Sequence, residues 1–166
     1  MKRLILLVGI PGAGKTTLAK KIIEKGFHCL SADPIREELY GRAIEQGNKE
    51  EVFKIFFERL DEAFAKELDV IIDNTNLNPR ERKPILERAQ KAGYTDIQLW
   101  LLDVPLDVCL KRNANRERVV PEDIIANKFM ELNRSGRPQR SEGKLAIIRP
   151  GADENDFRFF FPGGQN

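Results

Sequence analysis

Residues 3–17 read RLILLVGIPGAGKTT. Residues 3–8 form a largely apolar run of the kind found in a strand that is buried on both faces. Residues 9–16 match the pattern GxxxxGK[ST], in which glycines let the backbone turn its N–H groups toward phosphate oxygens. A helix that begins at the end of the loop adds a dipole that favours an anion. The stretch therefore predicts a phosphate-binding loop for a nucleoside triphosphate.

Two side chains of this loop carry most of the expected chemistry. Lys15 supplies a mobile positive charge for the β- and γ-phosphates, and Thr16 offers a hydroxyl to Mg²⁺. The residues expected to bind the nucleotide are Gly9, Pro11, Gly12, Ala13, Gly14, Lys15, Thr16 and Thr17, joined by Arg112 and Arg116 from a later loop.

Outward from the loop, apolar runs alternate with amphipathic stretches. The apolar runs predict further strands at 27–30, 70–73, 97–102 and 145–148. The amphipathic stretches predict helices at 16–25, from Pro34 to about Gln46 or only to Gly41, and at 50–68, 79–92, 106–115 and 121–133. Such alternation predicts an α/β fold in three layers, with a mostly parallel sheet covered on both faces.

Composition excludes several classes of protein. The chain has 166 residues, of which 41% are hydrophobic and 33% charged, a mixture typical of one soluble globular domain spanning 1–166. His28 is the sole histidine, which excludes a His-based triad, and Cys29 with Cys109 cannot form a disulfide framework or a zinc cluster. The apolar run 4–10 is too short to span a bilayer and lacks the features of a signal peptide. We therefore expect a cytoplasmic protein with no membrane partner and no obligate protein partner.

Asp33 and Asp73 each follow a predicted strand, at the sheet edge where the phosphate loop also lies. Asp33 is a candidate general base for an acceptor hydroxyl, although it could instead cap the helix expected from Pro34. Asp73 is a candidate on the metal side of the site, although strands often end in an aspartate. The next residues, Asn74, Thr75 and Asn76, offer polar groups to an acceptor or simply close the turn.

Residues 111–118 form a strongly basic stretch between two predicted helices. A cationic loop in that place can close as a lid over the triphosphate, at about 112–121, and stabilise the charge that develops in transfer. The alternative is a solvated charged loop. The tail 151–166 is rich in phenylalanine, which favours packing on the domain over a partner site.

With these motifs in place, the chain resembles the kinase domain of the phage polynucleotide 5′-kinase/3′-phosphatase and its bacterial kinase relatives over roughly residues 2–133. The resemblance implies a P-loop NTPase fold of the nucleoside-kinase-like type with a helical lid. The segments that carry it are Gly9-Ile10-Pro11-Gly12-Ala13-Gly14-Lys15-Thr16-Thr17, Asp33 with Arg36, Ile72-Asp73-Asn74-Thr75-Asn76-Leu77-Asn78-Pro79, Asp103-Val104-Pro105, Lys111-Arg112-Asn113, Arg116 and Val120-Pro121.

The resemblance implies transfer of phosphate from ATP, with Mg²⁺, to the 5′-hydroxyl of DNA or RNA. It makes Asp33 the general base and Arg36 the group that grips a phosphate of the acceptor strand. Lys15 and Thr16 would hold phosphates and metal, and Arg116 would support the transition state. Lys15, Asp33 and Arg116 are thus the expected catalytic residues, with Asp33, Arg36, Asn74, Thr75 and Asn76 binding the acceptor and Thr16 and Asp73 holding the metal.

The chain also departs from the phage pattern. The interval from Arg116 to Pro121 looks one residue shorter, so Arg118 could share the lid role. The phage enzyme has an acid where this chain has Asn74. The Asp-x-Asp-Gly-Thr motif of the phosphatase half has no counterpart, so we expect no removal of 3′-phosphates. Two other functions stay open: a P-loop kinase for a small metabolite or a tRNA-linked hydroxyl, and a nucleotide-binding module whose hydrolysis gates a partner.

Overall fold

The computed structural model describes residues 2–41 and 48–163. Its strands are β1 (Arg3–Val8), β2 (His28–Leu30), β3 (Val70–Ile72), β4 (Asp96–Leu102), β5 (Lys144–Pro150) and β6 (Phe157–Phe160). Its helices are α1 (Lys15–Ile23), α2 (Ala32–Tyr40), α3 (Lys49–Ala65), α4 (Pro79–Lys91), α5 (Leu106–Ala114) and α6 (Glu122–Glu131), followed by a π-helical segment at Leu132–Gly136.

The strands form one sheet in the order β2-β3-β1-β4-β5-β6. The pairings of β1 with β3 and β4, of β2 with β3, and of β4 with β5 are parallel. The last strand, β6, pairs antiparallel with β5. The predicted three-layer α/β fold with a mostly parallel sheet is therefore confirmed, and β6 is an addition that the sequence did not predict.

The alternation of side chains along β1 explains the three layers. Leu4 and Leu6 belong to the core on one face of the sheet, against α2, α3 and α4. Ile5 and Leu7 belong to the core on the other face, against α1, α5 and α6. Because successive side chains of a strand point to opposite faces, one apolar run serves both cores.

The start of α2 differs from the prediction. The helix begins at Ala32, and Ser31 rather than Asp33 occupies the N-cap position. The interpretation of Asp33 as a helix cap is therefore wrong, because Asp33 lies inside the first turn. The helix ends at Tyr40 with Gly41 as its C-cap, and the alternative end near Gln46 falls outside the described residues.

The later helices agree with the prediction to within a few residues. Asn78 caps α4 through its side-chain Oδ1, which accepts from the Glu81 backbone N–H at 3.0 Å, and Pro121 precedes α6 as its N-cap residue. None of the helices in the described part of the chain has both the length and the hydropathy needed to cross a membrane.

Candidate active site

The phosphate loop joins β1 to α1 at the carboxyl edge of the sheet. The Gly9 N–H donates to the carbonyl of Thr75 at 3.1 Å, which ties the loop to the segment after β3. Within the loop, the Ala13 N–H donates to the carbonyl of Ile10 at 3.2 Å. The predicted nucleotide ligands Pro11 and Thr17 lie in this loop and in the first turn of α1, both half-buried.

Gly12 shows why the loop needs glycine. Its φ of 88° lies in the left-handed region, which L side chains rarely adopt. A Cβ placed on Gly12 would also lie 2.5 Å from the carbonyl oxygen of Cys109, so α5 packs directly against the loop. Only glycine satisfies both the backbone angle and this close approach.

The Lys15 side chain folds back over the loop. Its Nζ donates to the carbonyl of Ile10 at 3.1 Å. Burial lowers the pKa of Lys15 to about 8, while the carboxylate of Asp73 acts in the opposite direction and the charge of Arg116 adds to the lowering. An ammonium group with few compensating charges is well suited to bind an incoming phosphate.

Asp73 follows β3 and contacts the first turn of α1. The Thr16 hydroxyl donates to Asp73 Oδ2 at 3.1 Å. Burial raises the pKa of the Asp73 carboxyl, and the charge of Lys15 and the hydrogen bond from Thr16 oppose this rise. The two residues predicted to hold Mg²⁺ are thus brought together.

This pair of oxygens fits a magnesium ion. A hydroxyl and a carboxylate are hard donors of the kind that Mg²⁺ prefers, and Mg²⁺ in phosphate-transfer sites takes its remaining ligands from water and substrate phosphates. Within residues 2–41 and 48–163, no group of three or more His, Cys, Asp or Glu side chains could hold a metal ion. Thr16 and Asp73 would therefore hold the ion together with the nucleotide rather than in a closed cage of protein ligands.

Asp33 and Arg36 form an ion pair at the start of α2, with Arg36 Nη1 2.7 Å from Asp33 Oδ1. The Asp33 side chain is 60% exposed, so its carboxylate faces solvent where an acceptor can reach it. The negative charge of Asp33 acts on the pKa values of both Lys15 and Asp73. The candidate base therefore lies close enough to the phosphate loop for its charge to act on Lys15 and Asp73.

In the polar segment after β3, the side chains of Asn74 and Asn76 bond to backbone groups of neighbouring elements. Asn74 Oδ1 accepts from the Ala32 N–H at 2.9 Å and so satisfies a free donor at the start of α2. Asn76 is 3% exposed, and its Nδ2 donates to the carbonyl of Leu7 at 2.8 Å. The expectation that the Asn76 side chain binds the acceptor is corrected, because the group is buried against β1. Thr75 is half-buried and remains a prediction.

The basic stretch 111–118 begins inside α5 and not in a loop, because the helix continues to Ala114, and Arg112 in its last turn contacts the phosphate loop. Arg112 Nη1 donates to the carbonyl of Ala13 at 3.3 Å. Arg116 and Arg118 are exposed, and of these two only Arg116 contributes to the lowered pKa of Lys15. Arg112 thus lies beside the phosphate loop, and the roles of Arg112 and Arg116 at the nucleotide stay predictions.

Sequence reasoning missed the part played by Arg82, which is 0% exposed. Its Nη1 donates to the carbonyls of Asn76 and Gly136 at 2.8 Å each, and its Nε donates to Glu142 at 2.8 Å. The two carbonyl bonds connect the segment after β3 to the π-helical segment, and the ion pair with Glu142 holds the guanidinium between them. A signal existed in the sequence, because Arg82 shares the apolar face of α4 with Ile85 and Ala89 at helical spacing.

The C-terminal hairpin of β5 and β6 also reaches the site. The Phe157 ring lies 3.4 Å and Arg112 Nη1 3.5 Å from the position of a Cβ on Gly14. Lys21 Nζ donates to the carbonyl of Asn155 at 2.7 Å, which ties the hairpin to α1. The prediction that tail phenylalanines pack on the domain holds for Phe157 in this sense, whereas Phe160 is 45% exposed.

The chain matches the AAA domain family over residues 4–138. The L-seryl-tRNA(Sec) kinase of Methanococcus maripaludis is 29% identical over 145 residues, which are 80% of this chain and 53% of that protein. A protein of Autographa californica nuclear polyhedrosis virus, assigned as a bifunctional polynucleotide kinase/RNA ligase, is 28% identical over 151 residues, or 80% of this chain and 21% of that protein. The chain thus spans about half of the first relative and about a fifth of the second.

A cytidylate kinase of Methanocella arvoryzae is 31% identical over 140 residues, covering 79% of this chain and 75% of that protein. Among solved structures, one chain of the Pnkp1/Rnl/Hen1 RNA repair complex has a TM-score of 0.71 and 24% identity, covering 80% of this chain and 44% of that chain. A gluconokinase from Sinorhizobium meliloti has a TM-score of 0.63 and 16% identity, covering 92% of this chain and 85% of that chain. The chain belongs to the AAA domain family and is a P-loop kinase.

Proposed function

We propose that this kinase transfers the γ-phosphate of ATP to the 5′-hydroxyl end of DNA or RNA. The observation that carries the proposal is the pair formed by Asp33 and Arg36, 2.7 Å apart at the start of α2. A kinase for the end of a strand needs a carboxylate for the hydroxyl and a cation for the phosphate that follows it in the chain. Asp33 and Arg36 supply these two groups one helical turn apart.

The chemistry follows from the charges around the site. The acceptor oxygen attacks the γ-phosphorus and forms a new O–P bond, while the bond from that phosphorus to the β,γ-bridging oxygen breaks and ADP leaves. The proton of the hydroxyl passes to the Asp33 carboxylate. Lys15 and the lid arginines Arg112 and Arg116 neutralise the charge on the phosphate oxygens. Mg²⁺ held by Thr16 and Asp73 would add further positive charge at the phosphates.

The ion pair also sets the order of events at the acceptor side. While Arg36 donates to Asp33 Oδ1, that oxygen already accepts a hydrogen bond and is less free to take the proton of the hydroxyl. A phosphate that binds Arg36 takes over one of its donors and releases Asp33 for the hydroxyl. Acceptor binding thereby prepares the base, and a hydroxyl compound without the neighbouring phosphate would be a poorer substrate.

A tRNA-linked hydroxyl is the second candidate acceptor. The L-seryl-tRNA(Sec) kinase matches 80% of this chain at 29% identity, and the viral polynucleotide kinase/RNA ligase matches 80% at 28%. The two relatives are therefore about equally similar to this chain. The cytidylate kinase relative adds a nucleoside monophosphate to the compounds worth testing.

The proposal is tested with a panel of acceptors at equal concentration. The full chain is incubated with ATP and Mg²⁺ and with a 5′-hydroxyl oligonucleotide, CMP or seryl-tRNA, and ADP release is followed for each. We expect ADP release that depends on the oligonucleotide and exceeds release without acceptor at least about tenfold. ADP release that depends on CMP or on seryl-tRNA, but not on the oligonucleotide, would overturn the proposal and identify that compound as the acceptor. Equal ADP release with every acceptor and without one would indicate a protein that only hydrolyses ATP.

A further inference from the structure

Asn113 lies in the last turn of α5 and is 1% exposed. Both ends of its carboxamide bond to the backbone of one residue. Nδ2 donates to the Val120 carbonyl at 2.6 Å, and Oδ1 accepts from the Val120 N–H at 3.0 Å. The side chain therefore imitates the two hydrogen bonds that opposed residues exchange in an antiparallel sheet.

This pair of bonds closes the basic loop. Residues 114–119 are all exposed and connect Asn113 to Val120, which precedes the N-cap residue of α6. The backbone carbonyl of Asn113 also accepts from the Arg116 N–H at 3.1 Å. Asn113 thus holds Arg116 through its main chain and the far end of the loop through its side chain.

The neighbours of Asn113 connect the loop to the nucleotide site. Arg112, the preceding residue, donates to the carbonyl of Ala13 in the phosphate loop at 3.3 Å. Arg116 is exposed and lies four residues after Arg112, with its N–H bonded to the Asn113 carbonyl at 3.1 Å. A loop held at both ends has fewer conformations to lose when Arg116 engages the phosphates, so less entropy opposes that step.

We propose that Asn113 is a positioning residue for phosphoryl transfer, since its bonds to Val120 hold Arg116 beside the phosphate loop. This inference rests on the lid role of Arg116 in the proposed function. Asn113 itself touches no reacting atom and acts through Arg116.

The first test is a double-mutant cycle. Asn113→Asp keeps the size of the side chain and the acceptor for the Val120 N–H, but it places an oxygen against the Val120 carbonyl. We expect this variant to lower kcat about 10- to 100-fold while the KM for ATP changes less than about twofold. In the Arg116→Ala background the same change should lower kcat no further, because residues that act through one another are not additive.

Asn115→Ala is the matched control. Asn115 is an exposed asparagine at the same helix end, and its Nδ2 donates to the Lys111 carbonyl at 3.3 Å without spanning the loop. Its kcat should stay within about twofold of the parent chain. Fully additive losses from Asn113→Asp and Arg116→Ala would show a general packing role and overturn the inference.

A second readout does not need an acceptor. Trypsin cuts after arginine and needs a flexible segment to do so. Arg116 and Arg118 are exposed, but the bonds of Asn113 hold the loop that carries them. Asn113→Asp should increase cleavage after these two residues at least about fivefold at a temperature well below its unfolding midpoint, and Asn115→Ala should not. Unchanged cleavage would contradict the inference. If the parent chain phosphorylates no 5′-hydroxyl strand, the proposed function fails, and the cleavage experiment still decides whether Asn113 holds the loop.

Discussion

The hydroxyl of Thr16 donates to a carboxylate oxygen of Asp73 at 3.1 Å, across 57 positions of the chain. This bond connects the first turn of α1 to the carboxyl end of β3. Because β3 lies beside β1 in the parallel sheet, the two residues meet at one edge of the molecule. The phosphate loop and the candidate metal ligand are therefore parts of one site. The charge of Asp73 also opposes the lowering of the pKa of Lys15 in the loop.

The pH dependence of nucleotide binding follows from Lys15. Burial lowers its pKa to about 8, so the free protein loses the Lys15 charge as the pH rises through that value. The affinity for ATP, measured by equilibrium binding without divalent cations, should weaken above pH 8 by up to about tenfold per pH unit. Lys15→Arg is the control, because a guanidinium keeps its charge and its profile should stay flat. A flat profile to pH 10 in the parent chain would contradict this role of Lys15.

Replacement of Asp33 tests the general base. Asp33→Asn should lower kcat by roughly 10²–10⁴ with little change in the KM for ATP. Since Ser31 and not Asp33 is the N-cap residue, the variant should lose no more than about 1 kcal/mol of unfolding free energy from the helix dipole. Glu37→Gln, an exposed acid in the same helix, should leave kcat unchanged. A wild-type kcat in Asp33→Asn would remove Asp33 from the mechanism.

Two glycines separate backbone strain from close packing. Gly12 and Gly26 both have positive φ, 88° and 97°, but a Cβ on Gly26 meets nothing within 4 Å. Gly26→Ala should cost about 1–2 kcal/mol of unfolding free energy and leave ATP binding intact. Gly12→Ala must in addition displace the Cys109 carbonyl, so it should weaken ATP binding at least about tenfold. Equal effects of the two changes on ATP affinity would argue against the close contact of α5 with the loop.

The buried ion pair predicts a large stability effect far from the phosphates. Arg82→Ala would remove the donor of two backbone carbonyls and of Glu142 Oε1, although Glu142 Oε2 keeps the Gln139 N–H at 2.8 Å. We expect it to cost about 3–5 kcal/mol in urea unfolding. Arg80→Ala, an exposed change two residues earlier on α4, should stay within about 0.5 kcal/mol of the parent chain. A loss below about 1 kcal/mol in Arg82→Ala would show that the pair contributes little.

The sequence was most informative where local pattern and fold agree. The apolar run at 3–8 and the glycines at 9, 12 and 14 predicted β1 and the phosphate loop with correct bounds, because burial on both faces leaves a continuous hydrophobic signal. The residues after β3 were harder to interpret. Asn76 looks like a substrate ligand in sequence, yet only the approach of β1 shows that its amide bonds to Leu7.

Two further features depend on tertiary contacts that local pattern does not reveal. The run Phe157-Arg158-Phe159-Phe160 becomes a strand because β5 offers it an antiparallel edge, and Phe159 packs edge-on against Trp100 at 5.1 Å. The position of Arg82 on the apolar face of α4 indicates burial, but its partners Glu142 and Gly136 are seen only in the fold. The partners of Arg82 lie 54 and 60 positions along the chain, so spacing within α4 carries no signal of the pairing.

Transfer of label from γ-labelled ATP to matched oligonucleotides is the most direct test of the proposed activity. One strand carries a 5′-hydroxyl and the other a 5′-phosphate, and both are incubated with the full chain and Mg²⁺. The account predicts label on the 5′-hydroxyl strand alone, and none on either strand with Lys15→Ala. Absence of label on the 5′-hydroxyl strand, in a protein that still binds ATP, would contradict the proposed acceptor.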